Sequence, residues 1–154
     1  LCCTPAVKPA AAPKTPALWC TKPSATACCS MASPEAARLL RIARRDLKMA
    51  RRLLDPDVEE ASWGWAAQQC LEKTLKAWIH ATGSKPPATH DIARLLLLLE
   101  QAGVETSELL PLRAFTSFAV QYRYDDEPED LSLDRTGWCN RAEALIEQVQ
   151  SLLG

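Results

Sequence analysis

Residues 57–83, DVEEASWGWAAQQCLEKTLKAWIHATG, decide the fold. Asp57 suits the cap of a helix, and Trp63, Ala66, Ala67, Cys70, Leu71, Thr74, Leu75, Trp78 and Ile79 recur at helical spacing to about Ala81. Gly83 supplies a left-handed stop, and Glu72 before Lys76 has the order that favours an i to i+4 pair. A stripe this broad must pack on more than one neighbour, so the rest of the chain has to provide further amphipathic helices.

It does so on both sides. Ser33 as cap and Pro34 in the first helical position open a helix that carries Leu39, Ile42, Ala43, Leu47, Ala50, Leu53 and Leu54, and Asp55 with Pro56 stops it. Its other face holds Arg38, Arg41, Arg44, Arg45, Lys48, Arg51 and Arg52, relieved by Asp46 alone; this is either a solvated face or a track for phosphate. After the stiff stretch Ser84 to Ala88, Thr89 can cap a third helix that ends at Gly103. Its five consecutive leucines, Leu95 to Leu99, predict the most buried helix of the set, although the run is too short to span a bilayer. Ser107 opens a fourth helix through Leu109, Leu110, Leu112, Phe115, Thr116, Ala119 and Val120, and a fifth runs from about Thr136 through Trp138, Ala142, Leu145, Ile146, Val149 and Leu152 to Leu153. Between them the acidic run Asp125 to Asp130 reads as a solvated loop. With no strand pattern, repeat or glycine-rich phosphate loop, the expectation is an all-α, antiparallel four- to five-helix bundle over residues 33–154.

Composition agrees with that class and separates a tail. The chain has 154 residues, 47% of them hydrophobic and 24% charged, enough for one core, and a net charge of −1 that gives no overall attraction for nucleic acid or anionic lipid. Residues 1–30 hold 5 of the 11 prolines, 5 of the 7 cysteines, three lysines and no acidic residue, which leaves −4 for the remainder. The spacing of Pro5, Pro9, Pro13, Pro16 and Pro23 forbids a helix, so residues 1–32 are expected to be a disordered Pro/Cys-rich tail, with no apolar run of signal-peptide length. The first methionine is Met31, which motivates the hypothesis that translation starts there; an intact mass that includes residues 1–30 would refute it. Cys2, Cys3, Cys20, Cys28 and Cys29 have neither zinc-site spacing nor the look of a disulfide framework, and Cys70 falls on an apolar face, so a reducing, cytoplasmic setting with no metal and no cofactor is expected.

Four groups of residues carry a family resemblance. They are Ala43, Asp46, Leu47, Ala50, Leu53 and Leu54; then Gln68, Gln69, Glu72, Lys73, Lys76 and Ala77; then Thr89, His90 and Asp91; and last Ala119, Val120, Arg123 and Tyr124. Over about Pro34 to Leu153 the chain resembles a HEPN domain, a small helical bundle of prokaryotic proteins that act beside minimal nucleotidyltransferases or as ribonucleases. The resemblance implies a homodimer, a minimal nucleotidyltransferase partner in a toxin–antitoxin-like pair, and nucleotide or RNA as ligand, with no membrane association. Ribonuclease members resemble one another in an arginine followed, after four to six residues, by a histidine that moves a proton while the arginine stabilises the phosphate. Here a histidine after four intervening residues from Arg113 would fall at Phe118, and the nearest arginine before both His80 and His90 is Arg52. The signature is missing, so a non-catalytic subunit is expected, with an endoribonuclease of atypical site as the alternative.

Candidate nucleotide-binding residues are His90, Arg123, Tyr124, Lys73 and Lys76, and no catalytic residue is assigned. His90 begins a helix where its ring can meet a backbone acceptor or a polar ligand, and Arg123 with Tyr124 pairs a phosphate fork with a stacking ring. Gln68, Gln69, Glu72, Lys73 and Lys76 are too polar for a core, which points to a cleft, a subunit interface or a solvated face. Trp63, Trp65 and Trp78 on one helix exceed what one face needs to bury, and so suggest an intermolecular surface.

Overall fold

A computed structural model describes residues 33–120 and 132–154. Helix α1 spans Pro34–Arg52, α2 Glu60–Ala81, α3 Ile92–Gln101, a 3₁₀ segment Ser107–Thr116, and α4 Arg135–Leu152. All regular structure among the described residues is helical, as the periodicity predicts, and the helices form an antiparallel bundle. The ion pairs record the direction: Arg44 meets Glu147 while Arg51, further along α1, meets Glu143, earlier on α4.

Helix α2 is the axis of the fold, with α1 and α4 on one flank and α3 and the 3₁₀ segment on the other. Ala36, Leu40, Ala43, Leu47 and Ala50 of α1 and Ala142, Leu145, Ile146 and Val149 of α4 close on it. The small alanines let the helices approach closely, and the leucines fill the intervening space.

At its N-terminal end α2 buries aromatic rings. The indole of Trp63 packs edge-on against Phe115 and Phe118, with centroids 5.9 and 6.4 Å away, and Trp138 of α4 lies 4.9 Å from Phe115. Gly64 makes this possible, because a Cβ there would run into the Phe118 ring. Trp63 and Trp78 are therefore core residues, which overturns the reading of these two as an exposed intermolecular surface, while Trp65 is half-buried.

Several local expectations need correction. Ser33 occupies the cap of α1 without a side-chain bond to it. Helix α2 starts at Glu60 because Asp55 folds residues 55–58 into a turn, taking the amide of Asp57 on its carboxylate and that of Val58 on its carbonyl. Asp91, not Thr89, caps α3 by accepting from the amides of Ala93 and Arg94, while the Thr89 hydroxyl accepts from Asp91 N–H. Helix α3 is not the most buried: Leu97 is 51% exposed, since a helix on the flank cannot turn five consecutive leucines inward. Over Ser107–Thr116 the expected fourth α-helix is instead a 3₁₀ segment with Pro111 inside it, and residues 118–120 are α-helical.

The approach to α4 is pinned at its start. The buried carboxylate of Glu60 accepts from the amides of Ser132 and Leu133, at 3.0 and 3.2 Å, and Arg135 donates to the carbonyls of Asp55 and Val58. Asp134 then caps α4 by accepting from Gly137 N–H. The Pro/Cys-rich tail and the acidic run Asp125 to Asp130 lie outside the described residues.

Candidate functional site

The middle of α2 should be apolar by position, and it is filled with polar groups instead. Gln68 and Glu72 point toward the residues that precede α3, and the Gln68 residue is 0% exposed and the Glu72 side chain 5%. Buried amides and carboxylates are tolerated only when their partners are supplied, and those of Gln68 and Glu72 are.

The partners form one continuous chain. Lys73 Nζ lies 2.7 Å from Asp46 Oδ2 on α1 and donates to Gln69 Oε1 at 2.8 Å. Gln69 Nε2 donates to Gln68 Oε1 at 2.7 Å, and Gln68 Nε2 donates to Glu72 Oε2 at 2.9 Å and to the carbonyl of His90 at 3.2 Å. Lys76 Nζ donates to Glu72 Oε1 at 2.6 Å, the i to i+4 pair that the sequence predicts. The His90 ring completes it, with Nδ1 3.0 Å from Glu72 Oε2. A cation at one end and an anion at the other fix the orientation of both amides, since an ammonium only donates and a carboxylate only accepts.

Burial alone would push the Glu72 carboxyl up; the hydrogen bonds from Lys76, His90 and Gln68 outweigh it and hold the group below the usual carboxylate range. Glu72 is therefore an anion at neutral pH. Because an ionised carboxylate accepts, Nδ1 of His90 is the donor, and in the neutral ring the lone pair then sits on Nε2. The His90 side chain is 65% exposed, so that nitrogen belongs to a ring held from behind and open in front. Nearby, burial first and the Asp46 carboxylate second push the Cys70 thiol up to about 12, which makes it inert packing.

A HEPN-domain family model matches residues 36–153. The chain belongs to the HEPN-domain family. No curated protein and no solved structure matches it significantly. Of the HEPN residues singled out in the sequence, the structure joins Asp46, Gln68, Gln69, Glu72, Lys73, Lys76 and His90 in one network. Lys73 and Lys76 are largely covered, against the reading of a solvated lysine face, and both ammonium groups are engaged by carboxylates. Arg123 and Tyr124 lie outside the described residues.

Asp46 and Glu72, the two carboxylates of this network, were not among the nucleotide-binding candidates, although Glu72 was counted among the residues of a cleft, interface or solvated face. The signals for them were a lone acid in a basic helix face and a carboxylate four residues before a lysine. Among the described residues no group of three or more His, Cys, Asp or Glu side chains is placed to hold a metal ion, and no helix is long and apolar enough to cross a membrane.

Proposed function

We propose that this chain is a non-catalytic HEPN-type subunit that homodimerises, associates with a minimal nucleotidyltransferase in a toxin–antitoxin-like pair, and holds nucleotide or polynucleotide. The observation that carries this reading is the posture of His90, whose carbonyl is held by Gln68 and whose ring is held by Glu72, leaving its outer edge free for a polar ligand. Arg123 and Tyr124 supply phosphate and base contacts in this reading, while Lys73 and Lys76 neutralise the two carboxylates that keep the histidine in place. Two carboxylates against two ammonium groups balance, so this cluster orients a ligand rather than attracting it from a distance.

The test combines three measurements. Sedimentation of the purified chain is expected to give a dimer, and affinity purification with a co-expressed nucleotidyltransferase from the neighbouring reading frame a stable complex. Incubation with RNA is expected to leave it intact. Metal-independent cleavage abolished by His90→Ala or Arg123→Ala would reject the non-catalytic assignment.

One observation favours the endoribonuclease alternative. A ring whose Nδ1 faces a buried carboxylate has the arrangement of a general base, with Nε2 available to take the proton of a ribose 2′-hydroxyl. Among the described residues no arginine is bonded to Glu72 or to the His90 ring; Arg45 meets the network only at Asp46, 3.7 Å away.

A further inference from the structure

Helix α1 carries seven basic side chains, and the structure divides them. Arg44 donates to Glu147 and Gln150 of α4, and Arg51 forms a two-bonded fork with Glu143, at 3.0 and 2.7 Å. Those two staple the bundle. Arg38 is paired with Glu35 one turn earlier. Arg41, Lys48 and Arg52 are exposed and have no carboxylate within ion-pair distance among the described residues, and the Arg45 side chain, 76% exposed, has only a long 3.7 Å contact with Asp46.

These three unpaired groups and the loosely paired Arg45 lie in one line. Positions 41, 45, 48 and 52 of an α-helix fall within about 60° of arc and span roughly 16 Å along the axis. Residues three and four apart are separated by about 5–6 Å, so neighbouring groups can engage successive phosphates. A surface of this kind on a body with a charge of −4 is a local attraction that the whole-molecule charge hides.

The rail has an apolar border. On the side toward α2, Arg45, Asp46, Met49, Trp65, Ala66 and Gln69 line a shallow pocket of about 250 Å³. Met49 is exposed and Trp65 half-buried in its wall. A flat indole, a soft thioether and two side chains able to hydrogen-bond suit a nucleobase turned out of its strand, a posture that a duplex does not offer.

We infer that the outer face of α1 is a phosphate rail for a single-stranded polynucleotide, with Arg41, Arg45, Lys48 and Arg52 on the backbone and one base seated between Met49 and Trp65. This deepens the proposed function and rests on its polynucleotide-binding part, assigning the strand to a surface distinct from the His90 cluster.

Fluorescence anisotropy of the full chain with a labelled oligouridylate tests it. The wild type is expected to bind with a log–log salt slope of about −3, four contacts at about 0.7 each. The triple variant Arg41→Gln/Lys48→Gln/Arg52→Gln, which alters exposed groups only, is expected to lose at least tenfold in affinity and to reduce the slope to about −0.7. Trp65→Ala is expected to weaken binding roughly tenfold at unchanged slope, the signature of a lost stack. The pair-removing control Arg44→Gln/Glu147→Gln should bind as the wild type does.

Equal affinity of the triple variant and the wild type would overturn the rail. If His90→Ala or Arg123→Ala then abolished binding, the strand would belong to the other cluster and the proposed function would stand without this inference. Equal affinity for duplex RNA would overturn the single-strand assignment. A triple variant that binds RNA normally but no longer captures the nucleotidyltransferase would make the rail a protein-docking face and overturn the inference as well. A wild type that binds no oligonucleotide sinks it outright, whereas dimer formation and co-purification judge the rest of the proposed function separately.

Discussion

Trp63 and Glu72 lie on the same helix, both buried, in surroundings that could hardly differ more. Around Trp63 the space is taken by Phe115, Phe118 and Trp138, and cohesion depends on shape. Around Glu72 it is taken by Gln68, Lys76 and His90, and cohesion depends on every donor finding its acceptor. The aromatic end is sensitive to volume and indifferent to proton concentration; the polar middle is the reverse. One helix can therefore carry a rigid structural anchor and a buried polar cluster without either compromising the other.

The largest break in this contrast is expected from Trp63→Ala, about 4 kcal/mol by chemical denaturation, because the vacated volume lies between rings packed edge to face that cannot collapse into it. Glu72→Ala should follow at about 3 kcal/mol, since it strands the Lys76 ammonium and the Gln68 amide in a partly dry environment. Gly64→Ala tests shape alone: the added methyl must displace the Phe118 ring, and a net loss of about 2 kcal/mol is expected despite the better helix propensity of alanine. A variant as stable as the wild type would show that the aromatic end is looser than described.

Acid sharpens the comparison. The Glu72 pKa is lower in the folded state than in the unfolded chain, so the unfolded chain binds more protons in the interval between the two values, and stability there rises with pH. The difference between wild type and Glu72→Gln is therefore expected to be complete above the ordinary glutamate range and to vanish as pH falls through the lowered value. The Trp63→Ala difference should stay constant over the same titration. The smallest effect is chemical: with its thiol pushed up to about 12 by burial, Cys70 should resist alkylation at neutral pH until the chain unfolds. Rapid labelling of the folded protein would contradict the packing around it.

Much of this was legible in the sequence. Apolar periodicity located α1, α2, α3 and α4, and part of the HEPN resemblance, from Asp46 through Glu72 to His90, rested on residues that converge in space. What stayed hidden was coverage. Periodicity marks Gln68 and Lys73 as polar, yet only the packing of Asp46 and the chain before α3 decides that such residues are enclosed. The tryptophans misled for the same reason, since a count on one helix does not reveal that Phe115 and Phe118 arrive from far along the chain to cover Trp63. The kind of helix over Ser107–Thr116 stayed hidden as well, because hydrophobic spacing over so short a segment does not separate a 3₁₀ winding from an α one.

The one-way orientation of the amides from Lys73 to Glu72 also bears on how this protein can vary. Exchanging a single member for a residue of opposite hydrogen-bonding sense leaves two like groups face to face, whereas exchanging both ends together reverses the polarity of the whole series and satisfies it again. Asp46, Gln68, Gln69, Glu72 and Lys73 should accordingly be inherited as a block. A library that randomises them jointly should recover folded members mainly as matched sets, and seldom as isolated replacements.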